Sequence, residues 1–544
     1  MGAETDEAAR RRAQRSAGAG APGTELTTAV RAMAKQFGRR RFLGLAAVGA
    51  VAGIAGCAGC PTPLTPAPGQ STAAAALAPV TDVPAAPGGI HTLADLLSTP
   101  SFYIAHRGSG DNWPEHTMRA YAGSVAAGLK ALEVSVWATA DGVLVCHHDA
   151  NTKRMTGFDM TIPRASYAAL ASLRNNARAW LGPASSLEPI PTLKQVLNAY
   201  AATHVIFIED KEGTNTEALL ALMDSYPDSR DHFVWKQPGT STDHREAHAS
   251  GYTTWGYFGT ADLDKAGQYL DAVDLLGVPS SAPDDTVRQF VATGRPVIAW
   301  EVHRRSERDR LLSLGVRGMM CSNVRYVLQR EAVALQDSFR AGLRAAGDLP
   351  WDAASDWTQQ PDFLDEGVRL GIPGSAAYTL GSMGPVTLAG WGLEAQSRWS
   401  GVLPAADQGA GLAFGQDDDA AWKPGQSPFS TGYVVELTAG GRLVLYRLSP
   451  DEAQPTLLAS SDGSPPKPGA WERLSILVTR QGIAITRNAS EGAPPSSSAQ
   501  KVVSADTAFR GGYFSLIKDD DGGLPVEFRN VRVTSIDADA AVCS

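Results

Sequence analysis

The stretch Phe102-Tyr103-Ile104-Ala105-His106-Arg107-Gly108 decides how this chain is read, together with Pro114-Glu115-His116-Thr117, Glu133-Val134-Ser135 and Cys146-His147-His148-Asp149 that follow it. Short apolar runs here end in histidine, arginine or carboxylate, and an α/β barrel places its chemistry at the ends of its strands. The pattern repeats downstream. Strands are predicted at Phe102 to Arg107, Ala131 to Trp137, Val143 to His148, Val205 to Asp210, Phe233 to Lys236, Thr253 to Phe258, Leu275 to Val278, Pro296 to Val302 and Gly318 to Cys321. Helices are predicted at Met118 to Ala127, Leu193 to Ala202, Glu217 to Ser225, Leu263 to Ala272, Thr286 to Ala292 and Ser306 to Leu314. Strands alternating with helices signal βα units and a parallel sheet. Nine strands is one more than a (β/α)8 barrel needs, and Leu275 to Val278 is the weakest of them. The barrel is set at residues 90–335, an ordinary size for the fold.

Successive strand residues point to opposite faces. In Leu132-Glu133-Val134-Ser135-Val136, Glu133 and Ser135 share one face, and in Ile208-Glu209-Asp210-Lys211 so do Glu209 and Lys211. Two such strands ending at one mouth bring Glu133 and Glu209 together on a divalent cation. Arg107, as a bidentate fork, and Lys211, as a point charge, then stand beside an anion. Two cations, a metal and two histidines suit phosphodiester cleavage, whose transition state gathers charge on phosphoryl oxygens. His106 and His148 are the candidates for accepting and donating a proton, in either order. Gly108 permits an abrupt turn under the anion. His116, His147 and His303 read as structural, and Asp141-Gly142 as a tight turn.

These motifs, with Glu209-Asp210-Lys211 and Ala299-Trp300-Glu301-Val302, resemble the glycerophosphodiester phosphodiesterases, relatives of the phosphatidylinositol-phospholipase-C barrels, over roughly His91 to Leu328. The resemblance implies a TIM barrel, a Ca2+ or Mg2+ ion, and hydrolysis of glycerophosphodiesters to glycerol 3-phosphate and an alcohol. It makes His106 and His148 the acid/base pair. Arg107 and Lys211 then hold phosphate, Glu133 and Glu209 bind metal with Ser135 at the third ligand position, and Glu115 and Trp300 line the substrate pocket. Family members carry Glu-x-Asp where this chain has Glu133-Val134-Ser135, so a hydroxyl replaces one metal carboxylate. A hard cation held by fewer charges binds more weakly, and Asp210 is a substitute ligand to consider. The rival readings are a surface protein that binds phosphodiesters or glycans with little or no turnover, and a sphingomyelinase-D-like phospholipase.

The rest of the chain reads as delivery and targeting. Its 544 residues carry a formal net charge of -9, which argues against a nucleic-acid binder. Arg39-Arg40-Arg41-Phe42-Leu43 resembles a twin-arginine export motif, and Ile54-Ala55-Gly56-Cys57 a bacterial lipobox. The apolar run Phe42 to Gly56 is short of the roughly 20 residues of a membrane span. Residues 1–56 are therefore expected to be an export signal and Cys57 the lipidated residue, with Met33 a candidate start. The chain is expected to be exported, and either anchored at the outer face of a bacterial cell membrane or secreted. Residues 57–89, rich in Pro, Ala and Thr, read as a flexible tether. Cys146 and Cys321 read as small buried residues.

Residues 336–350 are expected to be a helical linker, 351–536 an all-β jelly roll, and 537–544 a tail. Gly512-Tyr513-Phe514-Ser515-Leu516 and Val526 to Val533 are similar to the closing strands of concanavalin-A-like and laminin-G-like modules. That resemblance implies binding to an envelope glycan, with Trp391, Trp399, Trp422 and Trp471 weighed between sugar stacking and core, and core favoured. Asp417 to Asp419 and Asp519 to Asp521 read as solvated loops. Asn488-Ala489-Ser490 fits a sequon that an exported bacterial protein leaves idle.

Overall fold

The computed structural model of the protein describes residue 89 and residues 91–328, 335–350, 361–371, 377–380, 389–419, 431–488, 499–518 and 524–539. The export signal, Cys57, the tether up to residue 88, Trp422, Asp519 to Asp521, most of the sequon and the last residues of the tail lie outside them.

Eight parallel strands close a barrel: β1 (Phe102–Ala105), β2 (Ala131–Ala138), β3 (Val205–Asp210), β4 (Phe233–Pro238), β5 (Thr253–Tyr257), β6 (Leu275–Pro279), β7 (Val297–Val302) and β8 (Gly318–Cys321). β1 pairs with both β8 and β2, which closes the ring. Alternation divides each strand between two cores. Phe102, Ile104, Phe207, Val234, Trp255 and Ile298 fill the interior, while Leu132, Val134, Ile206, Ile208, Trp235 and Leu276 meet the helices outside. The inward face continues upward: Glu133 and Ser135 follow Ala131, Glu209 follows Phe207, and Lys236 follows Val234. The polar residues thus come to the carboxyl-terminal mouth by strand period alone.

The weakest predicted strand is a full barrel member. β6 pairs with β5 and β7, and its Gly277 leaves room for large neighbours, since a Cβ there would come within 2.7 Å of Tyr257 Cα and 2.9 Å of Trp255. The extra run is the one at Val143 to His148. Its strand, Leu144–Cys146, lies antiparallel to β2 outside the barrel, with Val136 opposite Cys146. The connection 139–143 is too short for the crossover of a dozen or more residues that a parallel neighbour requires. Asp141-Gly142 makes its turn, with Gly142 at φ 77°.

Helices form at Met118–Ala126, Leu193–Tyr200, Thr216–Asp224, Asp284–Ala292 and Arg305–Ser313. Thr192 and Gln195 cap the second of these reciprocally, each side chain taking the other's backbone N–H. The segment Leu263 to Ala272 instead forms two 3-10 turns, Leu263–Gln268 and Leu270–Ala272. Gly267 within it disfavours a continuous helix by about 1 kcal/mol.

Two seven-stranded antiparallel sheets follow. One contains Gly409–Gly415, Gly432–Thr438 and Leu443–Leu448; the other contains Trp391–Trp399, Glu472–Thr479 and Val526–Ser535. They share a core in which Leu412, Val435 and Leu445 pack with Leu393, Ile476 and Phe528. Trp391 and Trp399 belong to that core and are lost to solvent. The expected helical linker over 336–350 is not one. Its only helix is the 3-10 turn Phe339–Ala341, ended by Gly342 at φ 64°, and Asp348–Pro350 is a strand paired with Ala377–Leu380. Asp419 is also not a solvated loop residue. It is buried, and accepts from Arg305 N at 2.6 Å, Ser306 N at 3.1 Å and Tyr326 Oη at 2.8 Å, so the β region caps the barrel helix Arg305–Ser313.

Candidate active site

After β1 the backbone turns sharply, with Arg107, Gly108 and Ser109 all at positive φ. Gly108 is required there, since a Cβ would stand 2.8 Å from that of Ala120. The turn aims Arg107 N–H at Glu133 Oε2, 2.7 Å away. Glu115 is buried between two guanidinium groups, accepting from Arg107 Nη1 at 3.2 Å and Arg154 Nη2 at 2.5 Å. It orients Arg107 rather than lining an open pocket. Burial opposes the ionised Glu115 carboxylate, but Arg107 and Arg154 outweigh it and hold the group well below the usual carboxylate range.

Each of the two predicted imidazoles is held at Nδ1 by a carboxylate. His148 Nδ1 lies 2.7 Å from Asp149 Oδ1, and Asp149 is itself fixed by Arg154 Nε at 2.6 Å. His106 Nδ1 lies 3.2 Å from Glu301 Oε2 and 3.0 Å from Ser322 Oγ. In both rings this leaves Nε2 for chemistry. Burial lowers the His148 pKa to about 4, with Arg107 and Lys211 adding to the fall, so this imidazole is neutral at ordinary pH. Lys211 Nζ stands 3.4 Å from His148 Nε2 and 3.0 Å from Glu209 Oε1.

Glu301 holds more than His106. His303 Nε2 is 3.4 Å from its Oε2, Ser322 Oγ donates to the same oxygen at 3.1 Å, and Arg107 Nη2 is 3.8 Å from Oε1. His303 is anchored in turn by Asp111 at 2.7 Å. Burial works against the charge on His303, but Asp111 and Glu301 raise its pKa well above the ordinary value. Trp300 packs edge-on to Tyr257 at 5.5 Å, with its Nε1 buried and without a partner among the described residues.

Glu133 and Glu209, the expected metal ligands, do meet, but through a lysine. Lys236 Nζ donates to Glu133 Oε1 and to Glu209 Oε2, each at 2.6 Å. Ser135 Oγ lies 3.1 Å and 3.3 Å from the same two oxygens, with one proton to give. Glu133 Oε2 takes the Arg107 N–H, and Glu209 Oε1 takes Lys211 Nζ and Tyr257 Oη, the latter at 2.7 Å. All four carboxylate oxygens already accept hydrogen bonds. These residues do not fit a divalent cation, and among the described residues no cluster of three His, Cys, Asp or Glu is placed to hold one. Asp210 supplies no substitute. It points away and accepts from Glu212 N and Asn215 N in the loop beyond β3.

Sequence reasoning missed Lys236, Tyr257, Asp111 and Arg154, and gave Glu301 no role. The register is the signal that finds Lys236, because it sits directly opposite Glu209 on the neighbouring parallel strand.

Residues 106–325 match the sequence model of the Glycerophosphoryl diester phosphodiesterase family. The chain is 39% identical over 56 residues to a glycerophosphodiester phosphodiesterase of Arabidopsis thaliana, covering 10% of this chain and 15% of that one. It is 30% identical over 141 residues to a lysophospholipase D of Rattus norvegicus, covering 25% of this chain and 44% of that one. The chain thus spans less than half the length of these relatives. A solved phosphodiesterase of Oleispira antarctica, in complex with the product sn-glycerol-3-phosphate, is 20% identical over 42% of this chain and 95% of its own, with a TM-score of 0.37. A glycerophosphodiester phosphodiesterase of Thermotoga maritima is 19% identical over 41% and 95%, with a TM-score of 0.34.

Proposed function

We propose that the barrel whose residues 106–325 match that family hydrolyses glycerophosphodiesters to glycerol 3-phosphate and an alcohol. The observation that carries this reading is the pair of imidazoles, each oriented through Nδ1 by a carboxylate, with Arg107 and Lys211 beside them. Neutral His148 takes at Nε2 the proton of the attacking water, or of a glycerol hydroxyl whose cyclic phosphate a water then opens by the reverse proton transfers. The new P–O bond forms as the bond to the leaving alcohol breaks, and His106, backed by Glu301, gives that alcohol its proton. Arg107 and Lys211 stabilise the phosphoryl oxygens. Trp300, with its unpartnered N–H, walls the glycerol side. The test is release of glycerol 3-phosphate from glycerophosphodiesters by the purified chain, and its loss in His106→Ala and in His148→Ala. Wild-type protein that binds but never cleaves them would leave only the binding reading, and cleavage confined to choline lipids would favour the sphingomyelinase-D-like one.

The same proposal places the barrel outside the cell, lipidated at Cys57 and held at the membrane face by its tether, where phospholipid-derived diesters and glycerophosphate-containing envelope polymers are within reach. Loss of membrane association in Cys57→Ala tests that part. The paired β-sheets are proposed as a concanavalin-A-like unit for an envelope glycan. Trp471, half-buried with the guanidinium groups of Arg398 and Arg529 4.3 Å and 4.2 Å from its ring centre, is its candidate contact, and weakened retention of Trp471→Ala on cell-wall glycan is the check.

A further inference from the structure

Two ionised glutamates side by side at a barrel mouth repel each other unless a positive charge stands between them. Here that charge belongs to the chain. Lys236 faces inward at the height of Glu209, reaches both carboxylates at 2.6 Å, and is almost wholly buried. The rings of Tyr257 and Trp255 stand 5.6 Å and 5.8 Å from its Nζ and limit its contact with water. Two of its three N–H bonds are committed to the glutamates, and the third has no partner among the described residues.

The charges also balance. Glu133 and Glu209 carry two negative charges, and Lys236 with Lys211, which touches Glu209 at 3.0 Å, carries two positive ones. A divalent ion in place of Lys236, with Lys211 kept, would leave the cluster one unit more positive. Ser135 belongs to this arrangement. A carboxylate at that position would set a third negative charge against the two ammonium groups, whereas the hydroxyl lies within 3.3 Å of both glutamates without adding one.

We propose that Lys236 is the resident cation of this phosphodiester site. Its ammonium stands where a divalent ion would stand, holds Glu133 and Glu209 together in their ionised form, and offers its remaining N–H to a phosphoryl oxygen. The barrel then works without metal. This inference rests on the phosphodiester reading above.

The experiment uses the full chain stripped with chelator. Equilibrium dialysis against Ca2+, Mg2+ and Mn2+ at about 1 mM, a level at which weak extracellular Ca2+ sites fill, measures uptake. Glycerophosphocholine hydrolysis is measured in parallel with and without EDTA. The expected results are no stoichiometric uptake and a rate that EDTA leaves unchanged. Lys236→Met should lower kcat by about 10²- to 10³-fold, as loss of a preorganised charge does. The pair Lys236→Ser with Ser135→Asp should take up one ion. Uptake of one equivalent by the wild type that is lost in Glu209→Gln, or activity abolished by EDTA and restored by one of the ions, overturns the proposal. Failure to hydrolyse any diester under any condition overturns the phosphodiester reading instead. The cation assignment is then decided by wild-type uptake alone, which requires no variant to fold.

Discussion

Asp149 holds Nδ1 of His148 at 2.7 Å, which fixes the imidazole in the tautomer that keeps Nε2 bare. Burial, reinforced by Arg107 and Lys211, has brought the His148 pKa down to about 4, so the proton-accepting form persists well below the ordinary histidine range. kcat/KM should therefore stay level as pH falls from about 7 to about 5 and drop only toward 4. An anionic substrate offsets the two nearby cations, so the acid limb of kcat should lie higher than that of kcat/KM. An acid limb of kcat/KM at an ordinary histidine pKa would rule His148 out as the proton acceptor.

Glu301 gathers His106, His303, Ser322 and Arg107 around one carboxylate. Glu301→Gln keeps the shape and removes the charge that faces His106 Nδ1 at 3.2 Å. It should lower kcat by about 10²-fold, the lower end of what acid–base catalysis contributes. Circular dichroism should be unchanged, because His303 keeps Asp111 at 2.7 Å. A variant with wild-type kcat would show that Glu301 is structural only.

Asp348 begins a strand of the β region, and burial raises its carboxyl to about 7. The folded protein thus keeps a proton that the unfolded chain releases near pH 4. Stability present below the unfolded pKa is lost as pH rises from about 4 to about 7 and does not return above it. Asp348→Asn keeps an acceptor for Ala345 N. Denaturant unfolding should show it more stable than wild type by up to about 4 kcal/mol at pH 8 and no different at pH 4. Equal stabilities at both pH values would contradict the buried neutral acid.

Asp419 accepts two N–H groups at the start of Arg305–Ser313 and the hydroxyl of Tyr326. Asp419→Ala removes a helix cap and leaves buried donors unpaired, which should cost about 1–3 kcal/mol. Chemical denaturation should show the loss in the transition that includes the barrel. A loss confined to a separate transition of the β sheets would mean that the cap does not support the barrel.

The barrel was legible because strand period and chain order are local properties. β3 and β8 have their predicted bounds, and five of the six predicted helices fall within a few residues of expectation. Periodicity also put Glu133 and Glu209 on one inward face. It did not distinguish Leu144–Cys146 from a barrel strand, although the short connection through Asp141-Gly142 carried that information. What stood between the two glutamates depended on which residue of β4 lies opposite Glu209, and register between distant strands is set by packing that a single sequence does not display. Glu301 was in view as part of a motif, yet its four partners come from the turn after β1 and from just past the ends of β7 and β8. Asp419 read as a solvated acid because nothing local indicates that a loop of the β region is buried against a barrel helix.

The Asp419 cap means that the unit which folds is larger than the unit which sequence comparison detects. A fragment trimmed to residues 106–325 would retain every imidazole and cation described above, but it would begin its last long helix, only a few residues past Glu301, on bare N–H groups. An attempt to isolate the chemistry by cutting away the β sheets would remove part of what holds the seventh strand's end in place. The barrel and the β sheets are better treated as a single piece in any expression, labelling or transplantation work.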